Sequence, residues 1–255
     1  MATTSPYPGT QSIVRAISVL KAFTDEHPEW NLTPLAQKLG LNKATTFRLL
    51  TALESESLIM RDPQSDKYRL GPAIVTLGGR ALRANSLRAV SQAELQALAA
   101  ETNETASLEV LHGKEALVLD EIVGTHVMTG SQSIGSRWPA HATSTGKALL
   151  AALPEEQLRQ ILPMPLPSYT PHTITTWDAL LHDLAETRQR GYAVACEELE
   201  IGLLAIGAPV LNHDGQTVAA ISIAGPTLRL TAQRESELAT LVCACAARIS
   251  SRLGS

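Results

Sequence analysis

The chain has 255 residues, 44% of them hydrophobic, with three cysteines and a formal net charge of −4. That length holds one large domain or an ordinary domain with a smaller one. The odd thiol count and sparse cysteines argue against a disulfide scaffold and for a reducing, cytoplasmic setting. No run approaches the roughly 20 apolar residues of a membrane span, so no membrane partner is expected.

The acidic balance argues against a general nucleic-acid coat. It is uneven, however: residues 11–70 carry eight Lys and Arg against seven Asp and Glu, and the acidic excess lies in the remainder. Residues 1–10 are polar and rich in Thr and Pro, with neither a basic start nor an apolar run, and read as a disordered tail rather than a signal peptide.

In QSIVRAISVLKAF, Ile13, Ile17 and Leu20 recur at helical spacing, which predicts a helix from about Ser12. LTPLAQKLG reads as a short second helix, with Thr33 as its cap, Pro34 at its first position and Gly40 ending it. LNKATTFRLLTALES then offers Asn42 as an N-cap for a third helix. Its core side is Leu49, Leu50 and Leu53, leaving Lys43, Thr45, Thr46 and Arg48 for the polar surface.

SLIMRDPQSDKYRLG gives two short strands around a Pro63-to-Asp66 turn. Two short helices across a three-residue turn, followed by a hairpin, form the layout of a winged helix-turn-helix. Its second helix has the composition to enter a DNA major groove, Arg48 forking onto guanine and Thr45 and Thr46 meeting phosphate or a thymine methyl.

From Pro72 to about Asn85 a linker helix is expected despite Gly78-Gly79, which weaken it by roughly 1 kcal/mol each. SLRAVSQAELQALAAET is a stronger amphipathic helix. It leads to strands on either side of His112-Gly113-Lys114, a helix closed by Gly191, two apolar strands joined by Asn212-His213-Asp214-Gly215, and a last helix from Thr231. Strands and helices in this order make an α+β domain over residues 86–255, after a winged domain over 11–71 and a linker over 72–85.

WPAHATSTGKALLA contains S-x-x-K, the serine-lysine spacing of penicillin-binding proteins, and a Gly-Lys pair. The S-D-N and K-T-G partners of that catalytic pattern are missing. A phosphate loop would need Gly at 141 and Ser or Thr at 148, where His141 and Ala148 stand. Neither Ser144 nor Lys147 is therefore read as catalytic, and Lys147 reads as a solvated helix residue.

Cys243 and Cys245 lie two apart on a helix and face different ways, so packing is their expected role. The histidines are scattered and no HExxH occurs; no cofactor or metal is expected, although a zinc ion held by distant residues stays open. Glu197, Glu198 and Glu200 form either a pocket motif or a solvated acidic run.

The segment LGLNKATTFRLLTALESESLIMRDPQSDKYRLG resembles the DNA-binding half of the IclR family of bacterial transcriptional regulators, and WPAHATSTGKALLA and RGYAVACEELEIGLLAIGAPVLNHDG resemble two motifs of its effector-binding half. The resemblance implies a winged helix-turn-helix, a linker helix and a GAF-like ligand domain, working on a double-stranded DNA operator as a dimer or dimer of dimers. It also implies an effector site at Ser144, Thr145, Ala195, Ala205, Ser222 and Ala224.

The chain departs from the family where it has Ala195 for a frequent Asp, Ala205 for a frequent Cys, and Leu211 for a usual Phe, Tyr or His. Exchanging polar groups for methyls favours a small carboxylate with an apolar or aromatic body over plain glyoxylate. Two classes of function remain: a ligand-responsive regulator, or a small-molecule enzyme with an accessory helix-turn-helix.

Overall fold

The computed structural model describes residues 10–124, 134–231 and 233–253; residues 1–9 of the expected tail lie outside them. The chain divides after Ala84 into two units, Met1–Ala84 and Asn85–Ser255.

In the first unit, α1 (Gln11–Lys21) places Val19 against Leu35, Leu50, Leu53, Ile59 and Tyr68. A two-residue strand, β1 (Glu29–Trp30), follows, and the Trp30 indole N–H donates to the Ala22 carbonyl at 2.9 Å. Helix α2 (Leu32–Leu39) starts before the expected position. Asn31 takes the N-cap place in extended conformation, and Pro34 falls at the third helical position instead of the first. Proline is tolerated there because the first helical N–H groups have no intrahelical acceptor anyway.

Gly40 ends α2 at φ +64°, a left-handed conformation that costs glycine little, and its N–H returns to the Ala36 and Gln37 carbonyls. Two residues on, Asn42 Oδ1 accepts the Thr45 N–H at 2.8 Å and opens α3 (Lys43–Ser55). The wing, β2 (Ile59–Arg61) and β3 (Tyr68–Leu70), gains β1 on its other edge in the order β1-β3-β2. Helix α4 (Pro72–Arg83) has Pro72 in its first turn and contains no buried residue; Val75 is 77% exposed and Leu77 54%.

The second unit is built on an antiparallel six-stranded sheet. Helix α5 (Ser86–Thr102), capped by Asn85 Oδ1 on the Arg88 N–H at 3.0 Å, precedes β4 (Thr105–His112), β5 (Glu115–Ile122) and β6 (Arg137–Pro139). A 3-10 turn at Ala140–Ala142 leads into α6 (Ser144–Ala151), followed by α7 (Glu155–Ile161) and α8 (Trp177–Arg190). Strands β7 (Ala193–Cys196), β8 (Leu203–Leu211) and β9 (Thr217–Pro226) precede α9 (Glu235–Leu253). The order across the sheet is β6-β5-β4-β9-β8-β7. Helix α9 begins at Glu235 instead of Thr231, and the Arg234 N–H donates to the Thr231 carbonyl at 2.9 Å.

Strand alternation sorts the two faces of the sheet. Ala106, Leu108, Ile206, Ile221 and Ile223 meet Leu95 and Leu98 of α5 and Leu238, Val242, Cys245 and Ile249 of α9. Glu94 ties these two helices together, accepting from Arg248 at 2.5 Å and Arg252 at 2.6 Å. The other face carries α6, whose Leu150 packs with Leu158, Leu180 and Leu184 of α7 and α8.

Two glycines let α6 lie close to its surroundings. A Cβ on Gly146 would sit 2.2 Å from the Ala140 carbonyl oxygen, and one on Gly207 of β8 would sit 2.9 Å from the Thr145 nitrogen. The small residues of the TSTG run thus admit neighbouring backbone.

Candidate functional site

On α3 the exposed ridge consists of Lys43, Ala44, Phe47, Arg48 and Thr51, with Thr45 half-buried. Thr46 is fully buried and its hydroxyl donates to the Asn42 carbonyl at 3.1 Å, which corrects its assignment to the polar surface. Positions 46, 50 and 53 follow the i, i+4, i+7 rule, so Thr46 belongs to the stripe of Leu50 and Leu53.

Phe47, 46% exposed between the two basic residues, was missed because an aromatic in an amphipathic helix reads as core. Exposed on such a ridge, it is an apolar surface of the kind that meets a thymine methyl. In the wing, Arg61 pairs with Asp66 at 2.8 Å and lies over the Tyr68 ring, so this cation is held within the hairpin.

In the second unit a cavity of about 20 Å³ lies between α6, the sheet and the loop after β7, about the size of a water molecule. Ser144, Thr145, Ala195, Ala205 and Ser222 line it. Ala224 does not; it stands beside Ala205 in the cross-strand row Ala195, Ala205, Ala224. Leu199 and Leu203 complete the apolar wall.

Two carboxyl groups also line the cavity. Glu109, almost completely buried on β4, accepts the Thr145 hydroxyl at 2.6 Å and the Ser107 hydroxyl at 2.9 Å. Ser107 and Ser222 hydroxyls are in turn 2.9 Å apart. Burial pushes the Glu109 carboxyl above the usual carboxylate range. Burial, with Glu109 as a second negative neighbour, takes Glu121 on β5 up to about 7.

Glu198 is the second carboxyl, and its partner overturns the reading of Lys147 as solvated. Lys147 has no exposed surface; its Nζ lies 2.6 Å from Glu198 Oε1 and 3.2 Å from Asp183 Oδ2. Glu198 is therefore not part of a solvated run, and burial raises its carboxyl despite the lysine. Its place is set by the Thr173 hydroxyl donating to the Glu198 carbonyl and the Thr170 hydroxyl donating to the Glu197 carbonyl, both at 2.6 Å.

With its ammonium engaged by two carboxylates, Lys147 is not poised to activate Ser144. His141 is buried as well, its Nε2 2.9 Å from the Pro167 carbonyl, and burial lowers its pKa. Among the described residues no group of three or more His, Cys, Asp and Glu is placed to hold a metal, and no helix is long and apolar enough to cross a membrane.

Two family models match successive parts of the chain. The model described as IclR helix-turn-helix domain matches residues 12–63, and that described as bacterial transcriptional regulator IclR C-terminal matches residues 79–251. The chain is 34% identical to the HTH-type transcriptional regulator XynR of Escherichia coli over 224 residues, covering 88% of this chain and 89% of that protein. It is 34% identical to the transcriptional repressor IclR of Escherichia coli over 255 residues, covering 98% and 93%.

Among solved structures, the IclR transcriptional regulator of Alicyclobacillus acidocaldarius superposes with a TM-score of 0.84 at 31% identity, over 95% of this chain and 98% of that one. An IclR homolog from Microbacterium hydrocarbonoxydans complexed with 4-hydroxybenzoate gives 0.82 at 26%, over 95% and 98%. The two family models and the relatives at 34% identity, in agreement with the winged helix pair and the six-stranded sheet, show that the chain belongs to the IclR family of DNA-binding transcriptional regulators.

Proposed function

We propose that the protein is an effector-responsive regulator rather than an enzyme, reading a double-stranded DNA operator through Lys43, Thr45, Phe47 and Arg48 and a small molecule through the cavity under α6. The observation that carries this reading is the lining of the cavity. It joins hydroxyls at Ser144, Thr145 and Ser222 to methyls at Ala195 and Ala205, and its neighbouring lysine is committed to an ion pair.

The half-buried Leu199 and Leu203 line the cavity, and we propose that an occupant larger than water displaces them. Binding energy is thereby linked to a change of conformation, and only the effector's differential affinity for the two arrangements alters DNA binding, commonly by about 1–3 kcal/mol. A DNA footprint that strengthens or fades with a metabolite tests this, and substrate turnover with an unaltered footprint defeats it.

For the effector we favour a small carboxylate with an apolar or aromatic body. The N-terminus of α6 suits an anion, with the Gly146 N–H already taken by the Thr143 hydroxyl; the alanine row offers apolar room, and the Microbacterium relative holds 4-hydroxybenzoate. An aromatic or branched acid at about 100 times its dissociation constant adds about 2.7 kcal/mol to stability, which a thermal-shift panel detects. Stabilisation by glyoxylate or pyruvate alone would show that the alanines do not enlarge the site.

One winged module reads few base pairs, so specificity calls for two half-sites about one DNA turn apart and at least a dimer. The exposed Val75 and Leu77 of α4, together with Ile74 and Leu82, supply an apolar face for that contact. Light scattering at micromolar concentration is expected to give at least twice the 27.2 kDa chain mass. A monomer that still binds its operator tightly refutes this assembly.

A further inference from the structure

We infer that the effector carries a protonated nitrogen, held between the Glu109 and Glu198 carboxyl groups, in addition to its carboxylate and apolar body. The inference rests on the cavity being the effector site and specifies the chemistry of its occupant.

Both carboxyls line the cavity. Glu109 is held as an acceptor by two hydroxyl donors, Thr145 at 2.6 Å and Ser107 at 2.9 Å. Glu198, 7% exposed, uses Oε1 for Lys147, while its buried Oε2 has no hydrogen-bond partner among the described residues. A buried acceptor left unmatched is costly, and a donor entering the cavity would satisfy it.

The charge balance points the same way. The Lys147 ammonium is shared by Glu198 and Asp183, so one cation meets two anions before Glu109 is counted. Burial raises the carboxyls of both Glu109 and Glu198, the latter despite Lys147, and a positively charged donor beside them would offset that desolvation. A purely anionic ligand would add to this excess. An ammonium complements it and also gives N–H donors to Glu198 Oε2, while the ligand's carboxylate lies toward the first turn of α6.

The test is a matched panel on the full chain: 4-hydroxybenzoate against 4-(aminomethyl)benzoate, and 3-phenylpropionate against phenylalanine. Binding is read by calorimetry, with operator affinity followed in parallel. At least one nitrogen-bearing member is expected to bind ten times or more tightly than its nitrogen-free partner and to shift operator affinity. Glu109→Gln keeps the shape and is expected to remove most of that preference. Should this variant not fold, the panel on the unaltered chain still decides.

Equal binding of the nitrogen-free acids, a silent panel, or a preference undiminished in a folded Glu109→Gln overturns the inference. Ala205→Phe fills the cavity and separates the two readings. If nitrogen-free acids bind as tightly as their nitrogen-bearing partners and Ala205→Phe abolishes that binding, the site stands and the nitrogen falls. If Ala205→Phe leaves all binding intact, the cavity is not the site and both fall.

Discussion

Lys147→Met is expected to lower the unfolding free energy of the full chain by about 3–5 kcal/mol at pH 8, the usual cost of removing one partner from a buried ion pair. Methionine occupies similar space without charge, leaving Glu198 and Asp183 unneutralised where Nζ had been 2.6 and 3.2 Å away. Burial already raises the Glu198 carboxyl above its ordinary 4.5, and loss of the lysine raises it further.

A carboxyl raised in the folded state is least unfavourable to folding when protonated. The deficit is therefore largest above its folded pKa and shrinks as pH falls toward 4.5. Urea denaturation at pH 8 and pH 5 checks both size and direction, and adding Glu198→Gln to Lys147→Met should recover part of the loss at pH 8. A deficit below about 1 kcal/mol at pH 8, or one that grows toward pH 5, would mean that the pair does not hold α6 to the loop after β7.

Arg48→Ala should weaken specific operator binding by about 1–3 kcal/mol for each half-site in which the guanidinium reads a base. In a symmetric dimer both half-sites are affected together, giving about 2–6 kcal/mol, or from roughly thirtyfold to twenty-thousandfold in affinity. If Arg48 reads a base, the loss is confined to operator sequence; if it touches only phosphate, binding weakens across all sequences and the salt dependence becomes shallower by about one for each phosphate released.

Phe47→Ala should relax discrimination at a thymine without changing that salt dependence. Thr46→Ala serves as the internal contrast: its hydroxyl is buried on the Asn42 carbonyl, so the variant loses stability and retains sequence preference. Titration against the operator and a scrambled duplex at two salt concentrations distinguishes these results. Full operator affinity in both Arg48→Ala and Phe47→Ala would remove α3 from the groove.

The elements legible from sequence are those whose ends are written in local chemistry. Asn42 caps α3 through its own side chain, Gly40 and Gly191 close helices in left-handed conformation, and Asn212 to Gly215 turns one apolar strand into the next. Strand β1 escaped because two residues cannot display a period, and its existence depends on β3, far along the chain. Thr46 was misplaced on the polar surface, although its spacing to Leu50 and Leu53 carried the signal that it is buried.

Lys147 was not legible in the same way. Its partners Asp183 and Glu198 lie 36 and 51 residues away, on other elements, and a lone lysine in a helix reads as solvated until the fold brings those acids to it. For the cavity, the family motifs led to Ser144, Thr145, Ala195, Ala205 and Ser222 but passed over Glu109. The alternation of Ser107 and Glu109 along β4 put an acid on the inward side of the sheet, a signal that gains meaning only once the helix covering that side is known.

The close seating of α6 separates the cavity's lining, which evolution or a protein engineer can alter, from positions just behind it that resist change. At 146 and 207 any side chain would drive its Cβ into backbone, so every variant there disturbs the frame along with the recognition surface. Ala195 and Ala205 are side-chain positions in a continuous cross-strand row, where a larger residue takes space from the occupant without requiring new backbone geometry. A library confined to these two alanines, with 146 and 207 kept as glycine, should therefore yield sensors that answer to altered ligands while retaining their operator, and randomising the glycines should yield mainly unfolded or unresponsive chains.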